Sequence, residues 1–245
     1  MTSQAPTHIF PKRAAEPTTM KMDLSVYLPR KPIQEVSKKG IVYSPQQPSH
    51  SLYLVLSGRV KVSSAFSGGE IACSIVHKGG LFGEPALVDA RHRSDSAVAL
   101  DPVTLMAWSR SEMEQQIELN PGLGLALSRY LARHCMELAE RMKSMAVHRT
   151  PERVMLAMLQ FARETGVRNA DGSTRVESMT HQTLAEYVGT SREVVTFQLN
   201  HLRRLGLLHY NRKYIDISVD RMEEAIRQAS TSEGLNEKNE RAVAG

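Results

Sequence analysis

"GTSREVVTFQLNHLRRLG", residues 189–206, carries the start and stop signals of a single helix. Ser191 is suited to cap its start, and Gly206 to take the left-handed turn beyond its end. Val195, Leu199, Leu202 and Gly206 recur at steps of four, three and four, which gathers them on one face. Glu193, Phe197, Asn200 and Arg204 recur at the same steps on the opposite face. That second face should be polar and wet, yet it carries an aromatic ring.

The flanking segments give this helix its setting. "THQTLAEYVG" (180–189) predicts a short helix capped by Thr180, joined to the next through Gly189 and Thr190. "LLHYNRKYIDIS" (207–218) predicts strand, turn and strand, with the turn at residues 211–213. Upstream, "TPERVMLAMLQFARETG" (150–166) opens on a Thr-Pro-Glu cap-like signal and stops at Gly166. The Asp-Gly in "VRNADGSTRVE" (167–177) predicts a hairpin. Two helices with a tight glycine turn, followed by a β-hairpin, make a winged helix-turn-helix.

Such a unit reads DNA when the first turn of its second helix reaches base edges and its flanks meet phosphates. Arg192 and Glu193 occupy that first turn. Thr190, Ser191, Thr196, Asn200, Arg203 and Arg204 are candidates for phosphate contacts, and Arg212 and Lys213 extend them at the wing tip. Phe197 stands among them with no hydrogen bond to give.

Residues 40–108 have a different texture. "HSLYLVLSGRVKVSSAF" (50–66) suggests two strands about Gly58, and "IACSIVH", "DSAVAL" and "VTLMAWS" suggest further strands, with Gly-rich turns between them. Many short strands of this kind predict a small sandwich or barrel. "SEMEQQIELN" (111–120) then predicts a short helix. Pro121 opens an uninterrupted helical run to about residue 146, about seven turns long. Leu127, Leu131, Leu138, Met142 and Met145 stripe it, with Cys135 in the same seam. A long helix with a narrow apolar stripe wants a partner helix, here the same helix of a second chain. The alternative is that the stripe packs on its own β domain.

The expected organisation is a disordered arm (1–22), a β-roll sensor domain (23–120), the long dimerisation helix (121–146), a winged helix-turn-helix domain (147–230) and a disordered tail (231–245). The class is α+β. The formal net charge of +5 on 245 residues is compatible with nucleic acid. No apolar run is long enough to span a membrane and no secretory h-region is evident, so a cytoplasmic protein is expected. P-loop, HExxH and GxSxG motifs are absent, and no enzyme is expected. Two cysteines, Cys73 and Cys135, cannot supply the four thiolates of an iron–sulfur cluster, and no zinc or other metal site is suggested. Haem through Cys73 or His77 is not expected either, because "CSIVH" looks like an ordinary strand.

The order of parts resembles the cyclic-AMP receptor protein and fumarate–nitrate regulator (Crp/Fnr) family of bacterial transcription factors, over roughly residues 30–220. The resemblance rests on "SRE" (191–193) and on "FGEPALVDARHRSDSAVAL" (82–100), which is similar to the family's phosphate-binding cassette. It implies a jelly-roll β domain, a homodimer joined by the long helix, a palindromic operator and RNA polymerase as a partner. It assigns base reading to Arg192 and Glu193. It also implies that Gly83 and Glu84 face a ribose while Arg93 and Ser94 hold a cyclic phosphate. Without a nucleotide, Glu84 and Arg93 would persist as a salt bridge holding the roll together. Asp95 stands where a small residue belongs, and strand alternation would turn it away from the phosphate. Aligned from Asn120-Pro121, the polar pair that binds adenine in cyclic-AMP-responsive members falls on Leu138 and Ala139. Neither can hydrogen-bond a base edge, which argues against cyclic AMP and leaves any small-molecule effector unidentified. A second reading is a cyclic-nucleotide-binding module without direct DNA readout.

Overall fold

The computed structural model describes residues 24–88 and 91–229. The expected arm and tail lie outside the described residues.

The N-terminal half is built from β1 (Gln34–Val36), β2 (Ile41–Tyr43), β3 (Ser51–Ser57), β4 (Val60–Phe66), β5 (Gly69–Val76), β6 (Leu81–Phe82), β7 (Ser96–Ala99) and β8 (Val103–Ser109). They form two four-stranded antiparallel sheets, ordered β1-β8-β3-β6 and β2-β7-β4-β5. Tyr43, Val55, Val60, Phe82 and Leu105 pack together in one core of this roll. Because β3 is covered on both faces, its Leu52 and Leu54 join a second core with Trp108, Met113 and Leu123. This is why "SLYLVLS" is almost continuously apolar rather than alternating. Gly58 turns the chain between β3 and β4 at φ +76°, where a Cβ would lie 2.4 Å from the Pro102 carbonyl oxygen.

Helix α1 (Arg110–Leu119) starts with a reciprocal cap: Glu112 N–H donates to Ser109 Oγ at 3.3 Å, and Ser109 N–H donates to Glu112 Oε2 at 2.9 Å. Helix α2 (Pro121–Val147) is the expected long helix. At 1.5 Å per residue it is about 40 Å long. Its first half is spent on its own roll. Leu127 is only 7% exposed and Leu131 packs beside it against the same core, so this part of the stripe covers the β domain rather than a partner. Tyr130 clamps the roll as well, donating to the Leu81 carbonyl at 2.9 Å and accepting from Leu81 N–H at 2.8 Å. Further along, Cys135, Leu138, Met142 and Met145 are exposed at steps of three and four and form an open seam. The stripe thus divides between two surfaces.

The C-terminal half contains α3 (Thr150–Thr165), β9 (Val167–Arg168), β10 (Thr174–Glu177), α4 (His181–Val188), α5 (Arg192–Arg204), β11 (Leu208–Tyr210) and β12 (Tyr214–Ile217). A last helix, α6, covers 219–229. Thr150 proves to be the first helical residue rather than the cap, which is Arg149. The two predicted hairpins join into one sheet, ordered β11-β12-β10-β9, because β10 pairs with β12. Helix α6 was not legible as an element. Its Met222 and Ile226, four residues apart, complete the core formed by Val154, Met158, Phe161, Leu184, Val195 and Leu199.

That core also includes Ala72 and Ile75 of β5, so the two halves pack on each other. The seam between them is polar and buried. Lys61 Nζ lies 2.6 Å from Glu186 on α4 and 3.0 Å from Glu70, with the Lys61 and Glu186 side chains 11% and 8% exposed. Gln182 donates to the other Glu186 oxygen at 2.9 Å. Arg59 binds Asp101 at 2.6 Å and donates to the Ser178 carbonyl at 3.0 Å. Removing one member of a buried pair strands its partner's charge. Lys61→Ala is therefore expected to cost about 3–5 kcal/mol, read as a lower urea midpoint. An unchanged midpoint would show that the pair does not hold the halves together.

Candidate nucleic-acid interface

The turn that aims α5 is set by its backbone. Gly189 ends α4 in the left-handed region (φ +75°), and the N–H groups of Gly189 and Thr190 both donate to the Ala185 carbonyl, at 2.9 and 3.0 Å. Arg153 reaches from α3 to the Gly189 carbonyl at 3.2 Å. Ser191 then caps α5, its hydroxyl accepting from Val194 N–H at 3.3 Å. Val195, Leu199 and Leu202 are buried beneath, as the step pattern requires. At the far end Gly206 is left-handed at φ +66°, and Arg221 of α6 donates to the carbonyls of Leu205 and Gly206, at 3.1 and 3.0 Å. Arg221 thus caps the end of the reading helix, a contact with no signal in the sequence.

Arg192, Glu193, Thr196, Phe197 and Asn200 line one shallow depression on the outer face of α5. Phe197 is 61% exposed there. The Glu193 carboxyl is held below the usual carboxylate range by its own backbone N–H and by the Ser191 hydroxyl, so it stays an acceptor at neutral pH. Thr196 is already engaged. Its hydroxyl donates to the Arg192 carbonyl at 2.8 Å, so His181 Nδ1, also at 2.8 Å, must be the donor to Thr196 oxygen. Burial, and then the nearby Arg192 charge, push His181 below the ordinary imidazole range, keeping it neutral.

Tyr210, in the first wing strand, was overlooked in the sequence because it read only as a strand residue. Its hydroxyl donates to Asn200 Oδ1 at 3.0 Å, its ring meets His181 edge-on at 5.9 Å, and the Arg203 guanidinium lies 5.4 Å from its centre. Arg203, Arg204, Arg212 and Lys213 are exposed. The wing turn is closed by Asn211, whose Oδ1 accepts from the N–H groups of Lys213 and Tyr214, at 2.8 and 3.1 Å.

In the roll, Arg93 is 2% exposed. One of its Nη atoms donates to the Gly83 carbonyl at 3.1 Å and the other to the Ser51 carbonyl at 2.5 Å, while the guanidinium lies 4.2 Å over the Tyr43 ring. Arg93 is thus held by carbonyls and an aromatic face, not by the expected salt bridge to Glu84. Gly83 is left-handed (φ +88°), and Glu84 follows in a short 3₁₀ turn where burial raises its carboxyl above the usual range. Ser94 is exposed. Asp95 is not turned away: its Oδ2 accepts from Tyr43 OH at 3.2 Å, so Arg93 and Asp95 meet the same ring, being two residues apart. A phosphate entering here would compete with the Gly83 and Ser51 carbonyls for the same N–H groups. Leu138 and Ala139 are exposed on α2.

Residues 33–120 match the family model for a cyclic nucleotide-binding domain, and residues 152–224 match a Crp-like helix-turn-helix domain. The cyclic AMP receptor protein of Thermus thermophilus is 32% identical over 159 residues, covering 64% of this chain and 70% of that protein. The chain belongs to the Crp/Fnr family of transcription regulators. The global nitrogen regulator of a Nostoc species is 28% identical over 189 residues, 76% of this chain and 84% of its own. Among solved structures, FixK2 from Bradyrhizobium japonicum superposes with a TM-score of 0.70 at 19% identity, covering 79% of this chain and 96% of that one. This Crp/Fnr protein is a DNA-binding transcription regulator with a β-roll domain and a C-terminal helix-turn-helix.

The left-handed Gly189 is the geometric pivot of the helix-turn-helix. Gly189→Ala should cost about 1–2 kcal/mol, the strain of a Cβ in that conformation. Thermal or urea unfolding matching wild type would show that the turn tolerates a side chain.

Proposed function

We propose that the protein works as a cytoplasmic homodimer that places its two α5 helices in successive major grooves of a palindromic operator. The half-sites would lie about 34–36 Å apart, one helical turn. The observation that carries this reading is the exposed first turn of α5, with Arg192 and Glu193 projecting from a helix whose underside, cap and turn are all fixed. Arg192 pairs with guanine, and Glu193 accepts from a cytosine amino group. Thr190, Ser191, Arg203, Arg204, Arg212 and Lys213 meet the backbone. Phe197 packs on a thymine methyl, so the half-site prefers an A·T pair at the position it faces. RNA polymerase is the downstream partner. Any effector would act through Gly83, Glu84, Arg93 and Ser94 of the roll, next to the clamp that Tyr130 makes on Leu81.

Selection of bound sites from random DNA tests the docking. Glu193→Ala should lose about 1–3 kcal/mol of discrimination at one base pair of each half-site, and Phe197→Ala should lose the A·T preference at another. If both variants select the wild-type sequence, α5 is not docked this way.

The open seam of α2 supplies the dimer contact. With Leu127 and Leu131 committed to the roll, the test belongs at Leu138 and Met142, both exposed. Replacing both with Asp should give monomers in sedimentation at micromolar concentration. A dimer that survives would move the interface elsewhere.

A further inference from the structure

The wing and the reading helix are usually assigned separate tasks on DNA, yet here one wing residue acts on a reading-helix side chain. Tyr210 OH donates to Asn200 Oδ1 at 3.0 Å. Three observations show that Tyr210 is fixed when it does so. It is half-buried, His181 of α4 abuts its ring edge-on, and Arg203 lies near its face. His181 is in turn tied to Thr196, so four polar side chains of α4, α5 and β11 form one connected group. Thr196 and Asn200 are the members of that group that also line the depression on the outer face of α5, and of the two Asn200 is the one bonded to the wing.

The chemistry of a carboxamide makes this consequential. Its oxygen only accepts and its nitrogen only donates. Reading adenine in the major groove takes both at once, the oxygen accepting from N6 and the nitrogen donating to N7. A phosphate oxygen asks only for a donor. With its oxygen tethered to the wing, Asn200 has its N–H donors left to offer.

We infer that Tyr210 is a positioning residue that locks the Asn200 amide as a hydrogen-bond donor to the DNA backbone and so removes it from base readout. The inference rests on the docking proposed above. It adds that Asn200 contributes affinity without sequence preference, and that this contribution depends on a residue outside the recognition helix.

The test is a double-mutant cycle on the full-length protein, with affinities measured for the selected operator and for its single-base variants. Asn200→Ala should weaken binding about tenfold per half-site, as expected for a bond to a charged acceptor, by the same factor on every variant. Asn200→Asp, which removes the donors and adds a charge, should weaken it further. Tyr210→Phe should weaken binding about threefold in the wild-type background and have no effect beside Asn200→Ala. It should also raise tolerance for adenine at the base pair facing residue 200, a readout that mere support of the wing would not move. Circular dichroism melts of Tyr210→Phe should match wild type. Equal losses from Tyr210→Phe in both backgrounds, or loss of an adenine preference in Asn200→Ala alone, would overturn the inference. Arg192→Ala and Glu193→Ala, run in parallel, separate the two levels. Base-specific losses there with no Tyr210–Asn200 coupling reject the lock alone, whereas no base-specific loss rejects the docking beneath it.

Discussion

Arg141 holds the three parts of the molecule to one another. From the last two turns of α2 its planar fork donates to the carbonyls of Ala72 and Cys73 in the roll, and to the Tyr187 carbonyl of the helix-turn-helix at 2.9 Å. Its guanidinium also lies 4.0 Å over the Tyr187 ring. A guanidinium suits this place because several fixed donors lie in one plane and its face stacks on an aromatic ring. Three main-chain oxygens gain a charge-assisted partner at a junction that covers them. Tyr187 lies two residues before Gly189, so the side chain that joins the halves also holds the approach to the turn that aims α5. Lys61 and Glu186 add a second anchor one residue away.

The same helix divides its length among tasks. Its first half is committed to the roll through Leu123, Leu127 and Tyr130, and farther along Arg141 holds the DNA-binding half. In that second half Cys135, Leu138, Met142 and Met145 are exposed. One helix thus connects the roll to the DNA-binding half. Tyr130 brings the cassette into this connection. It binds both main-chain polar groups of Leu81, two residues before Gly83, so a displacement of the cassette backbone moves Leu81 or breaks those bonds. The interior beside it is arranged around Tyr43, with Arg93 on its face and Asp95 on its hydroxyl. Burial, followed by the Asp95 charge, raises the Tyr43 phenol well above its ordinary range, so it remains a neutral donor.

Much of this was readable in advance, and the reasons differ by element. The helix from Arg192 to Arg204 announced itself because cap, inner stripe and terminal glycine agree with one another. Gly58, Gly172, Gly189 and Gly206 marked real turns, all with positive φ. The stripe on α2 misled for a physical reason: apolar periodicity records burial but not against what. Leu127 and Met142 are indistinguishable as pattern, yet one is enclosed by the roll and the other stands open. Helix α6 is short, with Val219, Met222 and Ile226 at steps of three and four as its apolar signal, and Arg221 signals nothing until the carbonyls it caps are beside it.

The sequence by itself determined the class of the molecule, the order of its parts, the reading helix and the exposure of Phe197, because these follow from local periodicity, capping and turn chemistry. Only the tertiary structure decided what the polar residues are for. Arg93 and Glu84 are parted, Asp95 is turned toward Tyr43, Lys61 is paired with Glu186 across 125 positions, and Asn200 is bound by Tyr210. Long-range polar pairing leaves no period in a chain, because each partner is chosen by packing that local propensities do not encode. The aromatic ring on the wet face was visible from the first reading, but its polar neighbours acquired their orientation only when the wing folded against them.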